Sequence, residues 1–333
     1  MASKLIALAL QGGGSHGAYT WGVLDRLLQE PQLEIEALSG ASAGAINAAV
    51  LAHGYVEGGR AGARAALRRF WEAVGEKMSV AGGAALSDPA AQAYLSLTRY
   101  FSPSQLNPLN VNPLRDILSE QIDFARLRAA SRIKLFISTT RVRDGSLRLF
   151  TQDEVTLDAL LASACLPSIH HTVEIDGEPY WDGALTANPP VSTLVYQCRA
   201  RDILVVVLDP GREEAAPTSA EAIGERLKQL NFSSSLSTEL HSIALASAHA
   251  RRARFSFGAL EWRLRRLNLH VMEPASELVS LDPHTRFNVD MKFLIGLCEL
   301  GRRAADEWMG SNARDAAPER ELGGELAASA SAP

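Results

Sequence analysis

Short apolar segments alternate with longer amphipathic segments along most of the chain. The short ones predict buried strands, and the last of them is strongly β-branched: Leu5–Leu10, Ile35–Leu38, Ile133–Thr140, Leu147–Thr151, Thr172–Ile175 and Ile203–Asp209. The long ones predict helices: Ala18–Glu30, Ala43–His53, Arg60–Gly75, Ala220–Phe257 and Asn288–Met309. This alternation is typical of an α/β fold, and it predicts a three-layer α/β/α sandwich with a mainly parallel central sheet.

Two segments interrupt the alternation. Residues 79–113 carry two glycines and four prolines around aromatic and leucine side chains, which is typical of an irregular, lid-like insertion or of a long packed loop. Residues 311–333 are rich in Ala, Glu, Ser and Gly without periodicity, and we expect them to be a disordered tail. The pattern therefore predicts one domain over residues 1–310 followed by a tail.

Composition excludes several classes of protein. The 333 residues are 47% hydrophobic and 21% charged, so the chain can bury a sizeable core. A net charge of −5 argues against nucleic acid as a partner. The three cysteines have no zinc-site or disulfide spacing, and we expect neither a metal nor another cofactor. No targeting or membrane-spanning segment is apparent, which favours a cytoplasmic protein whose contact with a bilayer would be peripheral.

A glycine-rich loop follows the first strand and opens the first helix. Its spacing, Gly12-x-Gly14-x-x-Gly17, fits a dinucleotide-binding fingerprint, with Glu34 or Glu36 where a ribose-binding acid would lie. A nucleotide-binding regulatory module is therefore one hypothesis. The same loop can direct backbone N–H groups at the oxyanion of an acyl-transfer intermediate. The loop alone does not distinguish these two functions.

A second motif favours acyl transfer. Gly40-Ala41-Ser42-Ala43-Gly44 is a G-x-S-x-G segment between a short strand and a helix, the context in which such a serine is a nucleophile. Gly40 and Gly44 remove side chains that would clash in the turn. A simple helix cap at Ser42 is the structural alternative.

The base that would accept the Ser42 proton is less evident from spacing. Histidines at 170, 171, 241, 249, 270 and 284 stand in no loop motif that marks one of them as catalytic. Asp182 follows a hairpin-like segment and begins the motif Asp182-Gly183-Ala184, which predicts a carboxylate on a tight turn. Spacing alone leaves a Ser-His-Asp triad and a Ser-Asp dyad both open.

Taken together, the Gln11–Gly17 loop, the Gly40–Gly44 segment and the Asp182–Ala184 motif resemble the patatin-like phospholipase family. The stretch from Ala162 to Pro167 also looks like the family's segment ahead of its aspartate. The resemblance implies an acyl-ester hydrolase with a lipid or acyl-ester substrate. By position it implies Ser42 as nucleophile and Asp182 as base, without histidine. It also implies an oxyanion hole shaped by Gly12, Gly13 and Gly14, supported by Gly17, Gly40, Gly44 and Gly183.

The chain departs from the family's pattern at two places in the loop. The family often has Asp at the first position and Arg or Lys before the last glycine, where this chain has Gln11 and His16. A histidine titrates near neutrality, so His16 would make the site pH-dependent or would only bond local backbone. A catalytically silent lipid-binding homologue is a further alternative. Acyl length, positional preference and oligomeric state do not follow from the sequence.

Overall fold

The computed structural model describes residues 4–78, 97–98, 100–212, 216–253 and 258–314. Much of the predicted insertion at 79–113 and most of the predicted tail lie outside these residues. The closing helix extends to Arg314, so the first four residues of the predicted tail, 311–314, are helical.

Eight strands form one sheet: β1 Lys4–Leu10, β2 Leu33–Gly40, β3 Lys134–Arg141, β4 Leu147–Thr151, β5 Val173–Ile175, β6 Glu178–Asp182, β7 Asp202–Val206 and β8 Asn268–Met272. Each strand is hydrogen-bonded to the next along the path β5-β6-β3-β2-β1-β7-β8, in which β2 and β6 pair with successive parts of one edge of β3. Strand β4 pairs with the other edge of β3. Strands β3, β2, β1, β7 and β8 are parallel, whereas β4, β5 and β6 are antiparallel additions. The mainly parallel sheet confirms the predicted fold class.

Helices connect and cover the strands: α1 Gly17–Leu27, α2 Ala43–Ala73, α3 Pro103–Leu106, α4 Pro113–Gln121, α5 Phe124–Ala130, α6 Leu157–Ser163, α7 Val191–Gln197, α8 Ala220–Arg252, α9 Ala259–Arg265, α10 Ser276–Val279 and α11 Met291–Arg314. Single turns of 3-10 helix occur at Gly14–His16, Gln152–Glu154, Gly183–Leu185 and Pro283–Phe287, and a π-helical turn at Val74–Met78. The two helices predicted within residues 43–75 are both present in α2 and meet at Gly58 and Gly59, whose backbone is not helical.

The core lies on both faces of the sheet because side chains alternate along each strand. On one face, Ile6, Leu8 and Leu10 join a cluster with α1, α2 and α11. On the other face, Ala7 and Ala9 join a smaller cluster with α7 and α8. This is the three-layer arrangement that the alternation of apolar segments predicted.

The two edges of β3 place the chain's distant motifs together. Thr139 pairs with Arg148 of β4 and with Asp182 of β6, so those two strands lie on opposite edges of β3. Strand β2 shares the edge used by β6, and its last pair with β3 is Gly40 with Ile137. Asp182 therefore lies on the same edge as Gly40, two residues further along β3, or roughly 7 Å at strand rise. Asp182 is the last residue of β6 and also caps the 3-10 turn Gly183–Leu185, so it begins a tight turn as its motif predicted.

Candidate active site

Ser42 lies in a strained turn between β2 and α2. Its φ and ψ are 52° and −125°, a left-handed conformation that costs a non-glycine residue about 1–3 kcal/mol. The turn is held from outside, since the Ser42 backbone N–H donates to Ser163 Oγ at 3.0 Å. The strain turns the hydroxyl away from the sheet and into a cavity.

The glycine-rich loop passes directly beside this turn, because Leu10 and Gly40 are the last paired residues of β1 and β2. A Cβ on Gly12 would lie 2.8 Å from the Ala41 carbonyl oxygen and 2.9 Å from Ser42 Cβ. A side chain at position 12 would therefore displace the serine. The three residues Gly17, Gly40 and Gly183 likewise leave no room for a Cβ, being packed against α2 or β3.

Backbone N–H groups of the loop differ in what they bind. The Gly12 N–H donates to Asn188 Oδ1 at 2.7 Å, and Asn188 is itself held by a bond to the Phe232 carbonyl oxygen. Among the described residues, no acceptor bonds the N–H of Gly13 or Gly14. Gly12 thus shapes the loop, while Gly13 and Gly14 have N–H groups available to another acceptor.

Asp182 is completely buried, with 0% of its surface exposed. Its Oδ1 accepts the Ala184 N–H at 2.8 Å, and its backbone carbonyl accepts the Thr140 hydroxyl. Its Oδ2 has no hydrogen-bond partner among the described residues.

Burial raises the pKa of the Asp182 carboxyl to about 7, although the Ala184 N–H and the Ser42 hydroxyl both act to lower it. The hydroxyl is therefore a close neighbour of the carboxylate without a hydrogen bond of normal geometry. Such bonds often tighten only when substrate is present.

Three residues that position this site were not assigned a function from the sequence. They are Ser163, which holds the Ser42 turn; Asn188, which holds Gly12; and Ser138, whose hydroxyl donates to the carbonyls of Gly40 and Ala187. Only Ser163 lay in a segment already singled out, the one from Ala162 to Pro167. Ser138 is followed in β3 by Thr139 and Thr140, and nothing in the sequence distinguishes it from these two hydroxyl residues.

His16 is buried, and it forms no hydrogen bond with Ser42 or Asp182 among the described residues. Its Nε2 bonds Thr285 Oγ1 at 2.8 Å, and since that hydroxyl donates its proton to the Asp282 carbonyl, the imidazole is the donor. Burial, with the nearby charge of Arg286, lowers the pKa of His16 to about 4. The imidazole is therefore neutral at physiological pH and supplies no charge to the loop.

Three of the other candidate histidines have partners outside the site, while His284 lines the cavity. His270 bonds Asp202 at the opposite end of β7, and His171 bonds the Asn107 carbonyl oxygen. The Leu166 N–H donates to His170 Nδ1, and burial lowers the pKa of this imidazole. Among the hydrogen bonds of the described residues, none joins a histidine to Ser42 or Asp182.

Ser42, Asp182 and the glycine loop open into one cavity of 1290 Å³. Its walls come from two parts of the chain, the motif-bearing half and a later part that includes α8 and the Pro283–Phe287 turn. The cavity exceeds the roughly 300–1,000 Å³ typical of small-molecule sites. An extended substrate would fit beside the serine.

Both acidic candidates of the nucleotide hypothesis, Glu34 and Glu36, lie in the first half of β2, and Glu34 pairs with Leu5 at the end of the sheet away from the glycine loop. The Glu36 carboxylate accepts the N–H groups of Arg199 and Ala200. These two residues precede β7, at the end of the strands opposite to the glycine loop. The Ser42 turn also fills the space against Gly12 that a pyrophosphate would need. Within the described part of the chain, no group of three or more His, Cys, Asp or Glu side chains could hold a metal ion.

Comparison with protein families matches residues 8–195, more than half of the chain, to the family described as Patatin-like phospholipase. The chain belongs to the patatin-like phospholipase family. The resemblance inferred from the three motifs is thereby confirmed. As a member of this family of lipid-ester hydrolases, the protein is a hydrolase that acts on ester bonds.

Two solved structures are also similar to this chain. VipD from Legionella pneumophila is 14% identical with a TM-score of 0.38, over 90% of this chain and 67% of that one. The heterodimeric ExoU–SpcU complex from the type III secretion system of Pseudomonas aeruginosa gives 16% identity and a TM-score of 0.34, over 91% and 75%. No curated protein sequence matches this patatin-like hydrolase significantly.

Proposed function

We propose that this protein hydrolyses long-chain acyl esters through a Ser42–Asp182 dyad. The observation that carries the proposal is the buried Asp182 carboxylate, whose free Oδ2 neighbours the strained Ser42 turn beside two available loop N–H groups. A buried carboxylate with a pKa near neutrality is suited to act as a general base. The size of the cavity supports an extended acyl group as substrate.

The reaction follows from these positions. Asp182 Oδ2 accepts the Ser42 proton while Ser42 Oγ attacks the ester carbonyl, and the Gly13 and Gly14 N–H groups bind the oxyanion. Collapse of the tetrahedral intermediate expels the alcohol, which takes the proton from Asp182 and leaves an acyl-serine. Water, deprotonated by Asp182, then attacks the acyl-serine, and the second tetrahedral intermediate collapses to the fatty acid as Ser42 Oγ leaves and takes the proton back from Asp182. Each oxyanion donor contributes about 3 kcal/mol to such a transition state.

The dyad is tested by substitution with matched controls. We expect Ser42→Ala and Asp182→Asn each to lower kcat for a p-nitrophenyl acyl ester at least about 1,000-fold. Ser42→Ala should also abolish covalent labelling by a fluorophosphonate. Ser168→Ala, a cavity serine, and Asp176→Asn, in the turn of the same hairpin, should keep parental turnover.

The controls separate the rival functions. Full turnover in the Ser42 or Asp182 variant would reject the dyad. No turnover or labelling in the parent protein, over a range of acyl esters, would favour the silent lipid-binding homologue. Binding of NAD or NADP in isothermal titration would revive the nucleotide-binding module.

We also propose that the cavity opens toward a lipid surface. Large apolar side chains are exposed in two places beside its lining residues, and we call this set the apolar rim: Leu97, Tyr100, Phe101, Leu109, Val111, Ile223, Leu227 and Leu230. Chain neighbours of the rim residues line the cavity itself: Thr98 follows Leu97, Ala222 precedes Ile223 and Arg226 precedes Leu227. The last three rim residues recur at helical spacing along α8, so they form a stripe on one face.

The basic helical segment after Gly59 does not support this proposal. Arg60 donates to the carbonyls of Glu30 and Leu33, and Arg64 pairs with Asp25. Leu67, Phe70 and Trp71 are buried in the core. The segment packs its apolar face inside the protein, and it has none to offer a bilayer.

A further inference from the structure

The back of the glycine loop is held by residues that lie beyond the part of the chain matched to the family. Residues 208–211 and 282–287 follow the match, which ends at residue 195, yet they contact the loop at its start, middle and end. The N–H groups proposed to bind the oxyanion lie between these contacts. Their position therefore depends on a segment that the three motifs do not include.

The start of the loop is joined to the end of β7. The buried Gln11 side chain accepts the backbone N–H groups of Leu208 and Asp209 at 2.6 and 2.9 Å, and donates to the Asp209 carbonyl at 3.2 Å. All three bonds join the Gln11 side chain to the backbone of Leu208 and Asp209. Gln11 and Asp209 are thus fixed relative to each other.

The middle and end of the loop rest on the Pro283–Phe287 turn. Gly14, at φ +59°, lies so close to the Arg286 carbonyl that a Cβ would be 2.4 Å from its oxygen. Two residues later His16 donates to the Thr285 hydroxyl at 2.8 Å. A movement of this turn would move Gly14 with it.

Arg286 connects the two supports. Its guanidinium pairs with the Asp209 carboxylate, whose other oxygen accepts the Gly211 N–H at 2.8 Å and Gln229 Nε2 at 3.1 Å. The pair is largely enclosed, with 27% and 15% of the two side chains exposed. An ion pair removed from solvent in this way is screened far less than a surface pair, and it holds its geometry more strictly.

We propose that Asp209, Thr285 and Arg286 form a clamp that sets the position of the Gly13 and Gly14 N–H groups. The three act as positioning residues for the acyl-hydrolase chemistry, and the inference rests on the function proposed above. Asp209, Thr285 and Arg286 also line the cavity, but Thr285 and Arg286 contact the loop directly and Asp209 holds Arg286. Loss of the clamp should therefore weaken binding of the oxyanion more than binding of the substrate's acyl chain. A misplacement of about 1 Å in such a site can lower a rate about 100-fold.

The clamp is tested by Thr285→Val, which removes the hydroxyl at constant shape, and by Arg286→Gln. With a neutral p-nitrophenyl ester we expect kcat to fall about 10- to 100-fold and KM to change less than about twofold. An alkyl boronic acid, which forms a tetrahedral adduct with a serine nucleophile, should lose affinity by about the same factor as kcat/KM. Thr285→Ser should restore turnover, because it restores the hydroxyl.

Two comparisons control this experiment. Thr218→Val makes the same change in the cavity wall, away from the loop, and should keep the parental kcat. The double variant of Asp209→Asn and Arg286→Gln should lose little more than Arg286→Gln alone, because both members of one pair are removed.

The outcomes distinguish the clamp from the dyad. Folded Thr285→Val and Arg286→Gln proteins with kcat within twofold of the parent would overturn the clamp, provided that Ser42→Ala is inactive. If Ser42→Ala remains active, the dyad itself has failed. If Arg286→Gln does not fold, the kcat of Thr285→Val compared with that of Thr285→Ser still tests the clamp.

Discussion

At the scale of single residues, the site combines three features that each destabilise the fold. Ser42 has a left-handed backbone, Asp182 is a fully buried carboxyl, and two loop N–H groups have no acceptor among the described residues. Strain and burial of this kind persist where they contribute to function. The same features make the chemistry pH-dependent in a defined direction.

Asp182 must lose its proton before it can accept the one on Ser42. Its pKa of about 7 predicts that kcat/KM falls about tenfold for each pH unit below 7 and is level above it. A pH profile with a neutral ester measures this directly. A profile flat down to pH 5 would contradict it.

The free energy of unfolding should also depend on the ionisation of Asp182, but it should fall over the pH range in which activity rises. Because the folded pKa is raised above that of an unfolded aspartate, ionisation favours the unfolded chain, and the free energy of unfolding falls as pH rises toward 7. Asp182→Asn should therefore raise Tm at pH 8, with a smaller gain at pH 5. Thermal unfolding of both proteins at the two pH values checks this.

At the scale of elements, the site is built by the contact of β1, β2 and α2. Their chains approach so closely that Gly44, in the first turn of α2, would place a Cβ 2.1 Å from the Leu10 carbonyl oxygen of β1. Neither backbone can move without displacing the glycine loop or Ser42. The G-x-S-x-G motif thus reflects packing between elements as well as the turn itself.

Gly44→Ala should accordingly lower the free energy of unfolding by about 1–3 kcal/mol, the usual cost of overpacking. Gly296→Ala is the matched control, since no described atom lies within 4 Å of its Cβ position on α11. That change should raise stability by about 0.5–1 kcal/mol, as in other helix interiors. Denaturant unfolding of both variants gives the comparison, and equal effects would refute the packing argument.

At the scale of the whole molecule, the apolar rim is the surface that we propose to face lipid. Tyr100 and Leu109 are 82% and 85% exposed, so little of either is engaged within the protein. Among the residues that the structure describes, no helix is long and apolar enough to cross a bilayer. In the proposed contact with lipid, rim residues such as Tyr100 and Leu109 would each contribute about 1.5–3 kcal/mol when fully buried.

The double variant Tyr100→Ser with Leu109→Ser should lower turnover of an ester presented in vesicles at least about tenfold. Hydrolysis of a dissolved short-chain ester should stay within twofold of the parent. Tyr196→Ser is the control, since this 65% exposed aromatic lies on α7 and does not line the cavity. Equal losses on both substrates, or none on vesicles, would remove the lipid-surface proposal.

The local pattern of residues along the chain determined the layered fold and two of the three motifs. Apolar periodicity predicted the α/β architecture, because strand and helix alternate with different periods and each must bury one face. The glycine loop and the Ser42 segment were recognisable because tight turns and close approach restrict residue type over a few consecutive positions.

Tertiary structure decided what depends on contacts between distant parts of the chain. Asp182 is 140 positions from Ser42, and only the shared edge of β3 places it near Gly40. The pairing of β4 and β6 with β3, the neutral state of His16 and the support from Thr285 and Arg286 have no local signal either. Burial and pairing set these properties, and both depend on which elements the completed fold brings together.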